Sequence, residues 1–596
     1  MIPDHVFEVS FEVCNKVGGI YAVLKSKAAY MTGKYGENYC TIGYYDPTNA
    51  RVDFDEEKPP EDISDVLSKL ESEGIKCYYG RWLIPGRPKT ILVDSRGYAR
   101  KINEIKTKLW EDYRVDSLSS DNWFNDPVLW SYSVGILIES LMKGKYLRGK
   151  RVVAHFHEWL SGTALLYLEK KDAPVATIFT THATILGRTI AGTGGDLYKM
   201  VNEGLARKEK APLDLARRYG VIDKHSMEVA CAKSADVFTT VSEITGREAE
   251  YVLDLKPDIL LPNGLDLNKF PEMEELSILR RKYRRETRKF LTAYFSRYYP
   301  MDYYKIRSFF ISGRYEFHNK GLDVFIDALG RLNTQLKEEK SETKVVAFLF
   351  IPAANRGENI EILKNISLYE EILEKIEEAL PEIGERITDY LINGKIPDGV
   401  LSDEFKQQCK KLMIHFTEKK GMNPPLCAFE LSYPQEQDPI LQAFRRAGLL
   451  NRDEDKVKVI FYPAYLSSSD RFISLEYNQA TLTCDVGIFP SFYEPWGYTP
   501  LETAAQATLA VTTDLAGFGQ FIDGKGSGIK VLKANNTPYE KIVEELHNNM
   551  YEIVKMPKKD LTERRINAKE LSRLADWSIL SENYFKAHEM ALKKSK

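Results

Sequence analysis

The amino-acid sequence predicts an α/β protein built from two large domains, and three observations lead to this prediction. The chain has 596 residues, more than one hydrophobic core usually organises. Short runs rich in Val, Ile and Phe alternate with longer helical patterns, which is typical of parallel sheets covered by helices. These runs form two series, separated by a break near 268–307 that contains the basic stretch "RRKYRRETRKF". Such a basic run is typical of a solvated helix face.

Each series consists of short apolar segments followed by polar or glycine-marked loops. The first series predicts strands at 7–13, 39–45, 151–157, 176–181 and 236–241. The second predicts strands at 308–314, 345–352, 457–463 and 484–490. An insertion of roughly a hundred residues separates strands of the second domain and needs structure of its own. Apolar residues recurring every three or four positions predict amphipathic helices in it at 366–391, where Pro381 could introduce a kink, and at 400–414.

Composition and charge exclude several classes of protein. With 83 basic and 86 acidic side chains the formal net charge is −3, so the chain has no global attraction for nucleic acid or an acidic membrane. Apolar runs fall short of the ~20 residues that cross a bilayer, and the start lacks a signal-peptide pattern. Seven scattered cysteines without a CxxC pair argue against a disulfide framework or a zinc site. We therefore expect a cytoplasmic protein without nucleic-acid or membrane partners.

Polar side chains follow the predicted strands of the first domain. Gly18 and Gly19 open a helical pattern and would let backbone N–H groups approach a phosphate or sugar, although two glycines at a strand–helix turn more often reflect ordinary turn geometry. Further along, the strand-end residues are His155, His157, Glu158, His182 and Arg188. No HExxH frame or i, i+4 histidine pair accompanies them, so they predict no metal. They favour a polar cleft wall for a hydroxyl-rich substrate, with Arg188 available for an anionic group.

In the second domain, Arg314 and Lys320 lie on a glycine-flanked loop that suits a diphosphate, with an exposed basic loop as the alternative. The stretch "TPLE" predicts a helix start with a capping box, Thr499 as the cap and Glu502 three residues later. The positive end of that helix would assist the two basic groups. Together they could hold a leaving nucleoside diphosphate without a metal.

The segment "PSFYEPWGYTPLE", 490–502, crowds aromatic and acidic residues together. Tyr493, Trp496 and Tyr498 would supply flat apolar walls for a base and for sugar faces. Glu494 would repel a phosphate, so we expect it to act against positive charge that develops on a sugar ring.

Seven blocks of the chain resemble the eukaryotic-type glycogen synthases, glycosyltransferase family 3, in order from about residue 6 to about residue 577. They are "NKVGGIYAVLKSKA", "AHFHEWLSG", "TIFTTHATILGR", "DVFTTVSEIT", "KPDILLPNGLDLNKF", "GRYEFHNKGLD" and "FPSFYEPWGYTPLE". The resemblance implies a GT-B fold, with two Rossmann-like domains facing a deep cleft. It also implies retaining transfer of glucose from UDP-glucose to the 4-hydroxyl of a glycogen or maltooligosaccharide end, without metal or organic cofactor.

We expect a first domain over 1–270 and a nucleotide-sugar-binding domain over 271–575 that carries the helical insertion at about 360–430. A C-terminal helix within 576–596 is expected to pack back on the first domain. The insertion is equally well explained as an internal helical hairpin or as a contact between subunits. The family resemblance favours the second interpretation and implies a homotetramer through 366–415.

The resemblance also implies roles for individual residues. Arg314 and Lys320 would bind the diphosphate, while Glu494 would support the oxocarbenium-like centre or orient glucose. The implied catalytic set is Glu494, Arg314, Lys320 and His182. The implied substrate-binding set is Lys16, Gly18, Gly19, Glu158, Arg188, Asn263, Tyr477, Tyr493, Trp496, Gly497, Tyr498, Thr499 and Glu502. Within it, Tyr477 matches the aromatic residue that packs on uracil.

The sequence departs from regulated members of this family near its C-terminus. Those members carry a dense arginine helix for glucose 6-phosphate. Here acids interrupt the basic residues Lys558, Lys559, Arg564 and Arg565. We therefore expect weak or absent activation. Two other functions remain open: a glycan-binding GT-B protein without turnover, and another retaining GT-B glucosyltransferase. The choice between UDP-glucose and ADP-glucose also stays open.

Overall fold

The computed structural model describes residues 1–118 and 120–595, and the first domain is built on a nine-stranded sheet. Its strands are β1 His5–Val9, β2 Tyr39–Tyr44, β3 Phe54–Glu56, β4 Lys76–Trp82, β5 Lys89–Asp94, β6 Val152–His157, β7 Ala176–Thr181, β8 Val237–Thr240 and β9 Ile259–Leu260. Their order is β3-β4-β5-β2-β1-β6-β7-β8-β9. All neighbours from β5 to β9 pair in parallel, so their carboxyl ends share one edge. The pairs β3–β4 and β4–β5 are antiparallel, so β4 runs against the other strands near one end of the sheet.

Helices cover both faces of this sheet, as is typical of a parallel sheet whose central strands are buried on both sides. Every residue of β1, β6 and β7 is buried. The helices are α1 Gly19–Tyr35, α2 Pro47–Asp53, α3 Glu61–Ser72, α4 Ile102–Tyr113, α5 Asn122–Lys143, α6 Glu158–Lys170, α7 Ile185–Gly192, α8 Leu197–Ala206, α9 Leu213–Arg218, α10 Ile222–Ser234 and α11 Glu243–Val252.

The second domain contains a six-stranded parallel sheet and a small two-stranded one. Its strands are β10 Ile306–Ser312, β11 Lys344–Phe350, β12 Asn355–Glu358, β13 Phe429–Leu431, β14 Val457–Tyr462, β15 Val486–Ile488, β16 Leu509–Thr513 and β17 Ile529–Leu532. The larger sheet has the order β14-β11-β10-β15-β16-β17, and β12 pairs antiparallel with β13. All nine strands predicted from the sequence are present, within a few residues of the expected bounds.

The remaining helices surround the second sheet, except for the last. They are α12 Met273–Phe295, α13 Leu322–Glu338, α14 Ile360–Ile392, α15 Asp403–Thr417, α16 Pro439–Arg446, α17 Tyr477–Thr483, α18 Tyr498–Ala505, α19 Gly517–Ile522, α20 Tyr539–Lys555, α21 Lys558–Ser572 and α22 Trp577–Lys594. No helix within the described ranges combines the length and the apolar character needed to cross a bilayer.

The basic run between the two strand series forms part of α12, and it is not simply a solvated face. Arg280 donates to the carbonyl oxygens of Leu482 (3.0 Å) and Ala507 (2.7 Å). Arg284 donates to the buried carboxylate of Asp485 at 2.7 Å. The solvated-face interpretation is wrong for these two residues, because unsatisfied carbonyls and a buried acid of the second domain give them partners.

Both helices predicted for the insertion exist as α14 and α15, which contact each other as a hairpin. The helix α14 continues through Pro381, and only Ile362 and Asn365 of its side chains are buried. Apolar side chains further out stay exposed, among them Ile376 and Leu380. The outer part of the hairpin thus leaves several large apolar side chains uncovered.

The helix α22 lies against the first domain although it follows the second in sequence. The indole of Trp577 donates to Ser26 Oγ at 2.8 Å, and the Tyr35 hydroxyl lies 2.8 Å from His588 Nδ1. Trp577 is fully buried and contacts the backbone of Gly264, where a Cβ would come within 2.5 Å of the indole. The end of the chain therefore ties the two domains together. Lys596, the last residue of the expected C-terminal segment, lies outside the described residues.

Candidate active site

Two loops at the carboxyl edge of the second sheet pack directly on each other. Gly321 has φ +65°, and a Cβ there would lie 2.1 Å from the carbonyl oxygen of Pro490. Only glycine accepts both conditions. Beside it, the backbone N–H of Phe492 donates to the Asn319 carbonyl oxygen at 2.9 Å. These contacts fix the loop after β10 against the loop after β15 and bring Lys320 to Glu494.

Lys320 and Glu494 form an ion pair between Nζ and Oε2. Both are partly shielded, with side-chain exposures of 13% and 23%. Arg314 is instead 74% exposed and pairs with Glu316 at 2.9 Å. The two basic groups expected to share a diphosphate are therefore held by different carboxylates. A surface pair such as Arg314–Glu316 is worth only about 0–1 kcal/mol, so Arg314 can leave it for a phosphate at little cost.

The helix α18 begins two residues earlier than the sequence predicted. Gly497, at φ +111°, is its N-cap, and no side chain caps it. The predicted capping box of Thr499 and Glu502 is wrong, because Thr499 already lies in the first helical turn. A glycine that tolerates positive φ sets the start instead. Glu502 lies one turn into the helix, where burial raises its pKa to about 7.

The aromatic residues of the same segment are packed inward, whereas the sequence suggested open walls. Tyr493 and Trp496 are 7% and 4% exposed. The ring of Tyr493 stacks with that of Tyr198 at 6.0 Å between centroids, and Trp496 meets Phe518 at 6.0 Å. Large aromatic rings gain most from burial, which explains this placement.

The segment 490–502 is also where the domains touch. The Ser242 hydroxyl donates to the Pro495 carbonyl oxygen at 2.7 Å, and the Tyr498 hydroxyl donates to that of Gly264 at 3.2 Å. The candidate site therefore lies at the boundary between the two sheets' carboxyl edges.

On the first domain, the loop after β7 carries His182 and Arg188. Its backbone is held by buried carboxylates: Glu158 accepts from the His182 N–H at 3.0 Å, and Glu248 accepts from the Thr184 N–H at 3.1 Å. Burial raises the pKa of Glu158 to about 7, opposed by the charge of Arg188. Glu158 also has φ +64°, a strained conformation that clusters at functional sites.

In the glycine loop at the start of α1, the Glu12 carboxylate accepts hydrogen bonds from the backbone. Lys16, Gly18 and Gly19 are exposed. However, Glu12 Oε2 accepts from the N–H groups of Gly18 (2.9 Å) and Tyr21 (2.8 Å). Part of the N–H set expected to meet a phosphate or sugar is therefore satisfied within the chain.

Two further predicted residues lie near the same edges. Tyr477, the first residue of α17, has its hydroxyl 2.8 Å from Ser312 Oγ, at the end of β10. Asn263 is buried, and its Oδ1 has no hydrogen-bond partner among the described residues.

Sequence reasoning missed several residues that build the site. Glu12 had a detectable signal, since it is a charge in the otherwise apolar stretch "SFEVC". Tyr198, Glu228 and Glu248 lie in ordinary helical patterns, and their partners are distant in the chain. Glu228, for example, accepts from the Ile185 N–H at 3.0 Å. Only the folded arrangement identifies them.

One trio of buried residues, Glu8, His155 and His157, has ligand atoms within 4.8 Å of one another. The ammonium of Lys27 already binds the Glu8 carboxylate, and His155 Nε2 lies 2.6 Å from Thr180 Oγ1. A metal ion would have to displace both partners, so the residues do not fit a metal site.

The basic residues of α21 do not converge. Arg565 is buried and pairs with Asp485, while Arg564 pairs with Glu552, both at 2.5 Å. Lys558 is exposed at the start of the helix, as is Lys559.

The arrangement of two Rossmann-like domains, whose strand ends bring basic and acidic groups to one boundary, defines a GT-B glycosyltransferase. A family model described as glycogen synthase matches residues 8–596. The chain belongs to the glycogen synthase family.

Curated relatives agree with this membership. The chain is 35% identical to glycogen [starch] synthase of Caenorhabditis elegans, over 99% of this chain and 88% of that protein. It is 36% identical to isoform 2 of Saccharomyces cerevisiae, over 99% and 86%. The liver enzyme of Mus musculus is 34% identical, over 99% and 83%. Among solved structures, the catalytic domain of starch synthase IV from Arabidopsis thaliana aligns over 99% of each chain, with 12% identity and a TM-score of 0.48.

Proposed function

We propose that this protein is a glycogen synthase that transfers glucose from UDP-glucose to the 4-hydroxyl at the non-reducing end of an α-1,4-glucan. The reaction retains the anomeric configuration and uses neither metal nor organic cofactor. The observation that carries the proposal is the Lys320–Glu494 pair at the domain boundary of a chain that belongs to this family.

The proposed donor site uses the charges of the second domain. When the diphosphate arrives, Lys320 exchanges the Glu494 carboxylate for a phosphate oxygen, and Arg314 leaves Glu316 to join it. The N-terminus of α18 adds partial positive charge. These groups neutralise the leaving group as the glycosidic bond to UDP breaks, which is the task a divalent cation performs in other transferases.

The same exchange releases Glu494 for its own role. Freed from Lys320, the carboxylate faces the positive charge that develops at the sugar ring in the transition state. We assign the acceptor's proton to the departing phosphate, with attack on the same face of the sugar. His182 and Arg188 close the site from the first domain.

Two other functions compete with this one. A glycan-binding protein without turnover would keep the fold and the contacts to sugar, since a fold alone does not prove chemistry. The retained charges of Arg314, Lys320 and Glu494 argue against it, because binding a neutral glucan needs none of them. Another retaining GT-B glucosyltransferase would use the same charges on a different acceptor.

An assay with radiolabelled donor tests the proposal. We expect label from UDP-glucose in glycogen, less from ADP-glucose, and unchanged activity in EDTA. Label that enters only a small acceptor would favour the related transferase, and donor binding without transfer would favour the silent protein. Abolition of activity by EDTA would refute the metal-independent mechanism.

We also propose a homotetramer in the cytoplasm. The uncovered apolar face of the α14–α15 hairpin supports the assembly, since such surface is costly in water. The cysteines, all of which lie in the described residues, are free, which suits a reducing compartment.

A further inference from the structure

A chain of hydrogen bonds runs through the interior of the first domain to His182. It starts at Glu8 in β1, whose carboxylate accepts from Lys27 Nζ and from the Tyr39 hydroxyl. The same carboxylate lies 2.8 Å from His157 Nε2. The other nitrogen of that ring, Nδ1, lies 3.0 Å from His182 Nε2. All five side chains are buried.

The first link of this chain has a fixed direction. Burial raises the pKa of Glu8, but the Lys27 ammonium and the His157 hydrogen bond outweigh it and hold that pKa well below its ordinary value. Glu8 is therefore ionised, and an ionised carboxylate only accepts hydrogen bonds. It follows that the proton of His157 is on Nε2.

The second link follows from the charge of His157. Burial lowers the pKa of this imidazole although Glu8 opposes the shift, and Lys27 already balances the Glu8 charge. A neutral imidazole carries one N–H group, so Nδ1 of His157 must accept. The donor that faces it is Nε2 of His182. Burial also lowers the pKa of His182 well below its ordinary value, so its Nδ1 carries no proton.

The bare Nδ1 of His182 lies at the end of the chain. It makes no hydrogen bond within the part of the chain that the structure describes, and it keeps some contact with solvent. His182 follows β7 at the carboxyl edge of the sheet, beside Glu158. An acceptor nitrogen at this edge could accept a hydrogen bond from a ligand bound there.

We propose that Glu8 and His157 are positioning residues that fix His182 in the tautomer with a bare Nδ1, so that it accepts a hydrogen bond from a hydroxyl of the donor sugar. This inference rests on the proposed function for the identity of the ligand. A cationic His157 would reverse the last link and turn His182 into a donor. The Lys27–Glu8 pair thus decides which polarity the site shows to the sugar.

The tautomer is tested first, without any activity. Histidine labelled with ¹⁵N in the intact protein, with His182 assigned by the signal that disappears in His182→Gln, reports which ring nitrogen carries the proton. We expect Nε2–H in the unmodified chain. A proton on Nδ1 would overturn the proposal, and only the assignment variant His182→Gln has to fold for that result.

The polarity is then inverted by exchanging the buried pair, Glu8→Lys together with Lys27→Glu. Lys27 Nζ and His157 Nε2 share the Oε1 atom of Glu8, so a glutamine at position 8 would still turn its oxygen to both. An ammonium at position 8 can only donate to His157 Nε2, which moves the His157 proton to Nδ1 and makes His182 a donor through its own Nδ1. We expect the ¹⁵N signals of His182 to exchange their roles. His225→Asn is the matched control, because His225 is also buried in the first domain but lies outside this chain of hydrogen bonds. Unchanged His182 signals in the folded exchange variant would contradict the assignment.

Donor analogues connect the tautomer to the sugar. In UDP-glucose carrying fluorine in place of the 3-, 4- or 6-hydroxyl, the substituent cannot donate a hydrogen bond. We expect one analogue to lose about 10- to 100-fold in kcat/KM with the unmodified enzyme, since the acceptor is left unpaired. That loss should shrink toward onefold in the variant with Glu8→Lys and Lys27→Glu and persist in His225→Asn. Equal discrimination in both variants would refute the role in sugar recognition.

If the protein transfers no glucose, the same comparison is made by calorimetry of donor binding. Failure of the proposed function can then be told apart from failure of this inference. The ¹⁵N signals of His182 and the ratio of donor to fluoro-analogue affinities can both be measured without any transfer of glucose.

Discussion

At the scale of residues, the basic groups of the candidate site are paired with carboxylates of the same domain. Lys320 neutralises Glu494, and Arg314 rests on Glu316. Each pair keeps its charges compensated without a ligand, which avoids the cost of an uncompensated charge in a partly buried site. In the proposed mechanism, donor binding exchanges these partners for phosphate oxygens, so Glu494 becomes unpaired only when the donor is present.

Replacing Glu494 separates binding from chemistry. In Glu494→Gln the side chain keeps its size but loses the charge that would stabilise the sugar ring. We expect turnover to fall by about 10²-fold or more. UDP should bind at least as tightly as before, because Lys320 no longer has a competing carboxylate. Calorimetry and initial rates measure the two effects, with Glu111→Gln as an exposed control. Near-normal turnover would remove Glu494 from the catalytic role.

Glu502 gives stability a dependence on pH. Its pKa is raised from 4.5 to about 7 in the folded protein, so ionising it costs folding free energy. The stability associated with this group is complete below pH 4.5 and is lost as pH rises through about 7. Glu502→Gln cannot ionise. Relative to the unmodified chain, it should gain about 1–3 kcal/mol between pH 5 and pH 8.

The measurement is the difference in denaturant unfolding between the two proteins at each pH. Glu111→Gln, at an exposed position of the first domain, is the control variant. A constant offset between Glu502→Gln and the unmodified chain at all pH values would contradict a raised pKa.

At the scale of elements, the α14–α15 hairpin carries apolar side chains that the rest of its own domain does not cover. Its outer half exposes Ile376 (42%) and Leu380 (54%), and Leu391 (62%) lies beyond them. Of the two interpretations of the insertion, the internal helical hairpin is confirmed, since α14 and α15 contact each other. The contact between subunits stays a prediction, and it would cover the exposed apolar side chains that have no partner within the described chain.

Charge placed on that face tests the assembly. We expect Ile376→Asp combined with Leu380→Asp to convert a tetramer to smaller species, because carboxylates cannot be buried unpaired at an apolar contact. The folded subunit should keep its thermal midpoint, since both side chains are exposed in it. Light scattering and sedimentation give the mass. Leu83→Asp, at a 48% exposed position of the first domain, is the control. A monomeric unmodified protein would refute the assembly.

At the scale of the whole molecule, the end of the chain connects the two domains. The helix α21 packs on the second domain through Arg565 and Asp485, and α22 then lies on the first through Trp577. Any domain movement must bend the chain between them, near 572–577. A ligand on α21 could affect closure only if it engaged basic groups that are now paired within the second domain.

Those pairings lead us to expect little response to glucose 6-phosphate. Arg565 is buried against Asp485 and Arg564 is held by Glu552, which leaves mainly the exposed Lys558 and Lys559 for a phosphate. Initial rates with and without the sugar phosphate should differ by less than about twofold, a coupling free energy below about 0.5 kcal/mol. A large, saturable rise in activity would contradict this expectation.

The sequence by itself determined the two-domain α/β plan, the nine predicted strands and both helices of the insertion. These depend on local patterns: apolar runs long enough for buried strands, and apolar residues at helical spacing. It also singled out Lys320 and Glu494, because the loops after parallel strands meet at one edge. The resemblance in seven blocks identified the family that the whole-chain match then established.

Only the tertiary structure decided how these residues are partnered. Three examples depend on contacts between different segments of the chain. Glu12 accepts hydrogen bonds from the start of α1, Lys320 pairs with Glu494, and Trp496 packs inward against Phe518. The start of α18 likewise depends on the positive φ of Gly497 rather than on the Thr499 cap that the local pattern favoured. The direction of each hydrogen bond in the chain from Glu8 through His157 to His182 also depends on the tertiary structure. Which nitrogen donates and which accepts is decided only when both partners are in place, and no local sequence pattern encodes that.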